Sequence, residues 1–167
     1  MSTPLLDSAV TRLLFVCWGN ICRPPTAEGL MRRIPEEERL AGVVEVASAG
    51  TSGEHEGSPP DPRAVAAADR RGLDLRSLRA RRVRPDDWDR FDLLLVADGT
   101  VERALLRRAP SPAAAAKVHR MTAFGPDAHV EDVPDPYYGG PEGFEHVYDL
   151  LDRACRGLVE HIRAVHA

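Results

Sequence analysis

The stretch Leu13-Leu14-Phe15-Val16-Cys17-Trp18-Gly19-Asn20-Ile21-Cys22-Arg23-Pro24-Pro25-Thr26-Ala27-Glu28 sets the reading of the whole chain. Leu13 to Val16 is continuously apolar, the mark of a strand covered on both faces, as in a parallel sheet. From Thr26 to Arg33 the spacing is helical. Between them lies a short loop that begins at Cys17, holds Gly19 and Asn20, and ends at Arg23.

Outward from this unit the alternation repeats. Val43 to Val46, Asp92 to Val96 and, more weakly, Lys117 to Met121 read as three further strands. Pro62 to Arg71 and Thr100 to Arg108 read as helices, with Gly72 as the stop for the first. A last helix runs from Pro141 to Val165, with Phe144, Val147, Leu150, Leu151, Ala154, Leu158 and Ile162 at three- and four-residue spacing. Strands alternating with helices predict an α/β three-layer sandwich with right-handed crossovers. The 167 residues suit one domain, 1–167, without repeats or linkers. In such sheets, sites form at the carboxyl ends of strands beside a topological switch point. That points to the residues after Val16.

A short loop wrapping onto a helix N-terminus turns successive N–H groups inward and makes a nest for a phosphate-sized anion. Gly19 and Asn20 are residue types that tolerate the left-handed backbone a nest requires. Arg23 would close the ring with a planar fork matched to two phosphate oxygens. The same field acts on Cys17: a free thiol has a pKa of ~8.5, and helix N-termini with adjacent guanidinium groups lower it to ~3.5–7.5. One loop would then bind an anion and activate a nucleophile. The plain alternative is a structural cysteine and a solvated arginine.

Lys plus Arg is 22 and Asp plus Glu is 26, a balance of −4 that gives no electrostatic reason to bind nucleic acid. The longest apolar run, Leu13 to Trp18, falls well short of the ~20 residues that span a bilayer. The first residues lack a secretory pattern. Three cysteines, Cys17, Cys22 and Cys155, are too few for a disulfide scaffold and offer no paired zinc ligands. These features predict a cytoplasmic protein with no membrane or metal partner.

C-W-G-N-I-C-R-P-P-T-A-E resembles the active-site loop of the low-molecular-weight protein tyrosine phosphatases. Ser48 to Gly53, Pro60-Asp61-Pro62-Arg63-Ala64, Arg79-Ala80-Arg81 and Asp135-Pro136-Tyr137-Tyr138-Gly139 extend the likeness along the chain. The resemblance implies a four-stranded parallel sheet of flavodoxin-like order and no cofactor. It implies hydrolysis of phosphotyrosine on a protein substrate through a phosphocysteine on Cys17. Trp18, Gly19, Asn20, Ile21, Cys22 and Arg23 would hold the phosphate. Asp135, stiffened by prolines on both sides, would act as acid and then base. A bell-shaped rate profile on the acidic side of neutral follows. Tyr137 and Tyr138 would line the substrate pocket or pack the last helix onto the body, and Trp18 would supply a pocket wall or pack near the site. Asp98 would support Arg23 or the local loop. Cys22 would form a reversible disulfide with Cys17, or be a small buried helix-start residue; Cys155 reads as packing. Ile21 favours phosphotyrosine, since phosphoarginine phosphatases have threonine there. Nothing fixes the oligomeric state; a monomer is the simpler expectation.

The chain also departs from the family pattern. Pro24 replaces a serine that donates to the thiolate, and Leu78 replaces a histidine. In the family these belong to one buried network with the loop asparagine and a strand serine, here Asn20 and Ser48. Losing both together is coherent, because half a buried polar network is worse than none. One missing hydrogen bond to a charged group is worth ~1.5–3 kcal/mol, so a lowered but handicapped thiol pKa is expected. Glu54 stands where an aromatic wall is common and would repel an anionic peptide. Arg76, Arg79, Arg81, Arg82 and Arg84 form a basic run that would steer an anionic substrate or lie as a solvated edge. Competing readings are a catalytically weak phosphate-binding module, a phosphoarginine phosphatase and, more remotely, a thiol arsenate reductase.

Overall fold

The computed structural model describes residues 10–130, 132–137 and 139–166. Four strands, β1 (Thr11–Cys17), β2 (Val44–Gly50), β3 (Leu93–Val96) and β4 (Val118–Arg120), form one parallel sheet in the order β2-β1-β3-β4. Among the described residues six helices accompany them: α1 (Arg23–Glu37), α2 (Pro62–Asp69), α3 (Asp87–Arg90), α4 (Gly99–Leu106), α5 (Pro112–Ala115) and α6 (Pro141–Val165). The chain steps from β1 to β2 in one direction and from β3 to β4 in the other. Right-handed crossovers then place α1 and α4 on opposite faces, which gives the three-layer, flavodoxin-like arrangement. The reversal lies between β1 and β3. Both are interior strands, and Leu13, Leu14, Val16, Leu94, Leu95 and Val96 are fully buried.

The second strand exceeds its expected length. Val43 to Val46 carries the apolar signal, yet β2 continues through Ala47, Ser48, Ala49 and Gly50. Those small residues have little strand preference; they are extended because they pair with Leu14 through Cys17. The first helix is also longer than its periodic part, because Pro24 and Pro25 fall in the first turn, where a missing N–H costs nothing. Gly72 adopts φ 76° and ends the segment after α2, as its position suggested. The two four-residue helices, α3 and α5, carry no periodic signal. Helix α6 buries its predicted stripe, including Phe144, Val147, Leu151 and Leu158, and packs against α1 and α2. No helix among the described residues is long and apolar enough to cross a membrane.

Gly50 fixes where the loop after β1 sits. Its N–H donates to the Arg81 carbonyl at 2.8 Å, and the next two amides, Thr51 and Ser52, donate to the carbonyls of Cys17 and Trp18, both at 2.9 Å. A Cβ on Gly50 would lie 2.6 Å from the Trp18 carbonyl oxygen. Gly50→Ala is therefore expected to lower stability by about 1–3 kcal/mol in urea unfolding. Gly53→Ala, whose Cβ would meet nothing nearer than 3.5 Å, is expected to stay within about 0.5 kcal/mol. Equal effects would mean that the close approach at Gly50 does not constrain the loop.

Candidate active site

Strand β1 ends at Cys17, and α1 begins at Arg23. The intervening loop curls because Asn20 takes φ 59°, a conformation that asparagine tolerates and most residues do not. Its N–H then turns back onto Cys17 Sγ at 3.1 Å. Cys17, Arg23 and Asp135 line one cavity of about 240 Å³. A larger space of about 520 Å³ lies against β2 among Arg32, Glu45, Arg81 and Asp87. It holds no nucleophile, so volume does not choose the site.

Arg23 is 3% exposed. Its Nη1 donates to Asp98 Oδ2 and to the Val133 carbonyl, both at 2.8 Å, and its Nη2 lies 3.9 Å from Asp135 Oδ2. Burial alone would make the guanidinium easier to deprotonate, but Cys17 and the Asp98 carboxylate hold its pKa above the ordinary value. Burial would likewise raise the Asp98 carboxyl, yet the Val101 N–H, which it caps at the start of α4, and Arg23 keep it below the usual range. Asp98 thus fixes the arginine and a helix start together.

For Cys17 the balance runs against the sequence expectation. Burial pushes the thiol up, and the Asp135 carboxylate adds to that push. Arg23 and the N–H groups of Asn20 and Gly19 pull it down, but the net direction is upward. The reason is local: the sulfur is buried at the strand end. Pro24 supplies no hydroxyl to help.

The remnant of the polar network also needs correcting. Ser48 does not meet Asn20; its Oγ donates to Glu28 Oε1 at 2.6 Å. Glu28 is buried and also pairs with Arg32. Leu78 packs against the main core. Asn20 is 2% exposed, and neither its Oδ1 nor its Nδ2 has a hydrogen-bond partner among the described residues. The loss is therefore incomplete: the asparagine backbone shapes the loop while its amide is stranded, and the amide does not line the cavity.

Around the mouth stand Trp18, Ile21, Cys22, Glu54 and Tyr137. Trp18 is 48% exposed and meets the His55 ring edge-on at 6.1 Å. His55 lies 6.5 Å from the Tyr137 ring, so three rings flank the opening. His55 was not singled out as a site residue in the sequence; the available signal was its place directly after Glu54. Tyr138 lies outside the described residues. Cys22 is a buried free thiol whose pKa burial raises strongly. Cys155 is buried in α6 beneath the Ala27 carbonyl. In the basic run, Arg76 pairs with Asp69 and Asp74, Arg81 with Asp87, and Arg79 with nearby carbonyls. Among the described residues, no group of three or more His, Cys, Asp or Glu is placed to hold a metal ion.

A family model described as low molecular weight phosphotyrosine protein phosphatase matches residues 12–166. The chain belongs to that family. It is 42% identical over 154 residues to the low molecular weight protein-tyrosine-phosphatase of Streptomyces coelicolor, covering 91% of this chain and 93% of that one. It is 34% identical over 157 residues to the human low molecular weight phosphotyrosine protein phosphatase, covering 93% and 98%. A protein tyrosine phosphatase structure from Entamoeba histolytica superposes with a TM-score of 0.87 at 36% identity, covering 92% and 97%. Wzb of Vibrio vulnificus, solved in complex with benzylphosphonate, superposes at 0.78 with 30% identity, covering 91% and 99%. Membership makes this low molecular weight phosphatase a phosphomonoester hydrolase with phosphoprotein substrates.

Two outcomes follow for the loop of this phosphatase. Asn20→Gly, which keeps the left-handed backbone and removes the stranded amide, is expected to hold stability or raise it by about 1 kcal/mol, whereas Asn20→Ala lowers it by about 1–2 kcal/mol. Both are read by thermal or urea unfolding, and a loss in the glycine variant would show that the amide has a partner. Burial pushes the Cys17 thiol up, so iodoacetamide inactivation is expected to accelerate with pH around a midpoint above that of an ordinary cysteine. Pro24→Ser restores a donor to the thiolate and moves the midpoint down by the equivalent of about 1.5–3 kcal/mol. An unchanged profile would remove Pro24 from the explanation.

Proposed function

We propose that this phosphatase hydrolyses phosphotyrosine on proteins, in the reducing cytoplasm and as a single domain, with Cys17 as nucleophile. The thiolate attacks phosphorus, the bond to the tyrosine oxygen breaks, and Asp135 gives that oxygen its proton. Water then attacks the phosphocysteine; Asp135 takes the water proton, and phosphate leaves with the thiolate restored. Arg23 grips two phosphoryl oxygens through both steps, and the loop N–H groups share the charge that develops on the third. The observation that carries this reading is the convergence of Cys17, Arg23 and Asp135 on one cavity, with Arg23 anchored from behind. Trp18, His55 and Tyr137 supply an aromatic mouth suited to an aryl ester, and Wzb, a relative that holds benzylphosphonate, supports the same ligand class.

A second reading rests on Glu54, which lines the mouth with a negative charge. A cationic guanidinium would be welcome there, so phosphoarginine is the alternative substrate, against Ile21. A panel of phosphotyrosine and phosphoarginine peptides separates the two.

Vanadate-sensitive turnover of p-nitrophenyl phosphate is expected, with Cys17→Ser reducing it to the detection limit. Asp135→Asn should lower turnover of a phosphotyrosine peptide by about 10²–10⁴-fold. Phosphate binding without turnover would favour the weak binding module instead.

A further inference from the structure

We infer that Arg63, gripped by Asp61, is the positioning residue that holds the Asp135 loop in register with the phosphate loop. The inference rests on the phosphatase reading and assigns a part to residues outside the cavity. Asp61 is tied to the phosphate loop directly, its N–H donating to the Ile21 carbonyl at 2.8 Å. Its carboxylate accepts from the Arg63 backbone N–H at 2.9 Å and caps α2. The same carboxylate grips the guanidinium on both oxygens, at 3.1 Å from Nε and 3.0 Å from Nη2. A planar fork held at one edge has its other protons aimed in a fixed direction.

Those protons go to the acid loop. Nη2 donates to the Tyr137 carbonyl at 2.8 Å and Nη1 to the Gly139 carbonyl at 3.2 Å. The guanidinium also lies over the Tyr137 and Phe144 rings, 5.5 and 4.6 Å from their centroids. Tyr137 in turn donates its N–H to Asp135 Oδ1 at 3.1 Å. The residue whose carbonyl Arg63 holds is thus the residue whose amide holds the carboxylate. Upstream, the loop is fixed by Val133, whose N–H donates to the Ala97 carbonyl at 2.7 Å and whose carbonyl accepts from Arg23. Arg63 supplies the matching hold downstream. Asp135 needs both, because its side chain is 50% exposed and burial does not place it.

A purely structural Arg63 would stabilise α2 and affect every substrate alike. A residue that positions the acid matters only where the leaving oxygen needs a proton. The test compares kcat/KM for phenyl phosphate, a poor leaving group, and dinitrophenyl phosphate, which departs as a stable anion. Arg63→Met should lose about tenfold to a hundredfold on phenyl phosphate and less than about twofold on dinitrophenyl phosphate. Arg63→Lys should recover part of the loss without the fork. Asp61→Asn, which keeps a capping oxygen, should show the same pattern and serves if Arg63→Met does not fold. Asp135→Asn is the reference for that pattern. Equal losses on both esters, or none on either, would overturn the inference while Asp135→Asn still shows the leaving-group dependence. If Asp135→Asn shows none, the reading of Asp135 as acid falls, and the inference falls with it.

Discussion

The buried charge of Arg23 organises the carboxyl edge of this sheet. Moving a guanidinium out of water costs several kcal/mol unless it is paired and fully hydrogen-bonded. Here the same nitrogen meets the Asp98 carboxylate and the Val133 carbonyl. Asp98 is itself fixed as the cap of α4, and Val133 is bonded to Ala97, the residue after β3. One cation therefore ties the loop after β1, the turn after β3 and the start of the acid loop into one body. The open end of the fork faces the cavity beside Cys17. The site is held by groups behind it, which leaves the front free to take an anion without reorganising.

Cys17, the proposed nucleophile, lies on the cavity beside Arg23, and burial pushes its thiol up. Burial at the strand end raises the thiol against the pull of Arg23 and two amides. The groups that would tip the balance are missing or diverted: Pro24 has no hydroxyl, Leu78 packs against the core, and Ser48 faces Glu28. Asn20 keeps its place for its backbone, since its φ of 59° turns an amide onto the sulfur. The stranded side-chain amide is the cost of that geometry. Among the described residues that line the cavity, Arg23 is the one guanidinium an incoming dianion meets, and Glu54 and Asp135 stand beside it.

Much of this was legible in the residues. The interior strands β1 and β3 announce themselves because both faces are covered and the sequence is continuously apolar. Cys17 and Arg23 are legible because a strand, a tight loop and a helix place them on opposite sides of a nest. Asp135 has no local signal and depends on family resemblance. The second half of β2 was hidden because Ala47 to Gly50 are extended only through pairing. Glu28 reads as an ordinary helical acid with Arg32 one turn away, and only the fold brings Ser48 to it. Arg63 reads as a first-turn arginine until the acid loop is in place. The upward push of burial on Cys17 was hidden for a physical reason: the loop shows the attractive charges, and the depth of the sulfur appears only in three dimensions.

Passage of the phosphoryl group through Cys17 is open to direct measurement. Mixing enzyme with a phosphotyrosine peptide, quenching in acid within milliseconds and digesting should yield a peptide containing Cys17 that carries one phosphoryl group, and Arg23→Ala should abolish it. Turnover of the peptide with no such adduct at any quench time, or an adduct on another residue, would rule out Cys17 as the phosphoryl carrier.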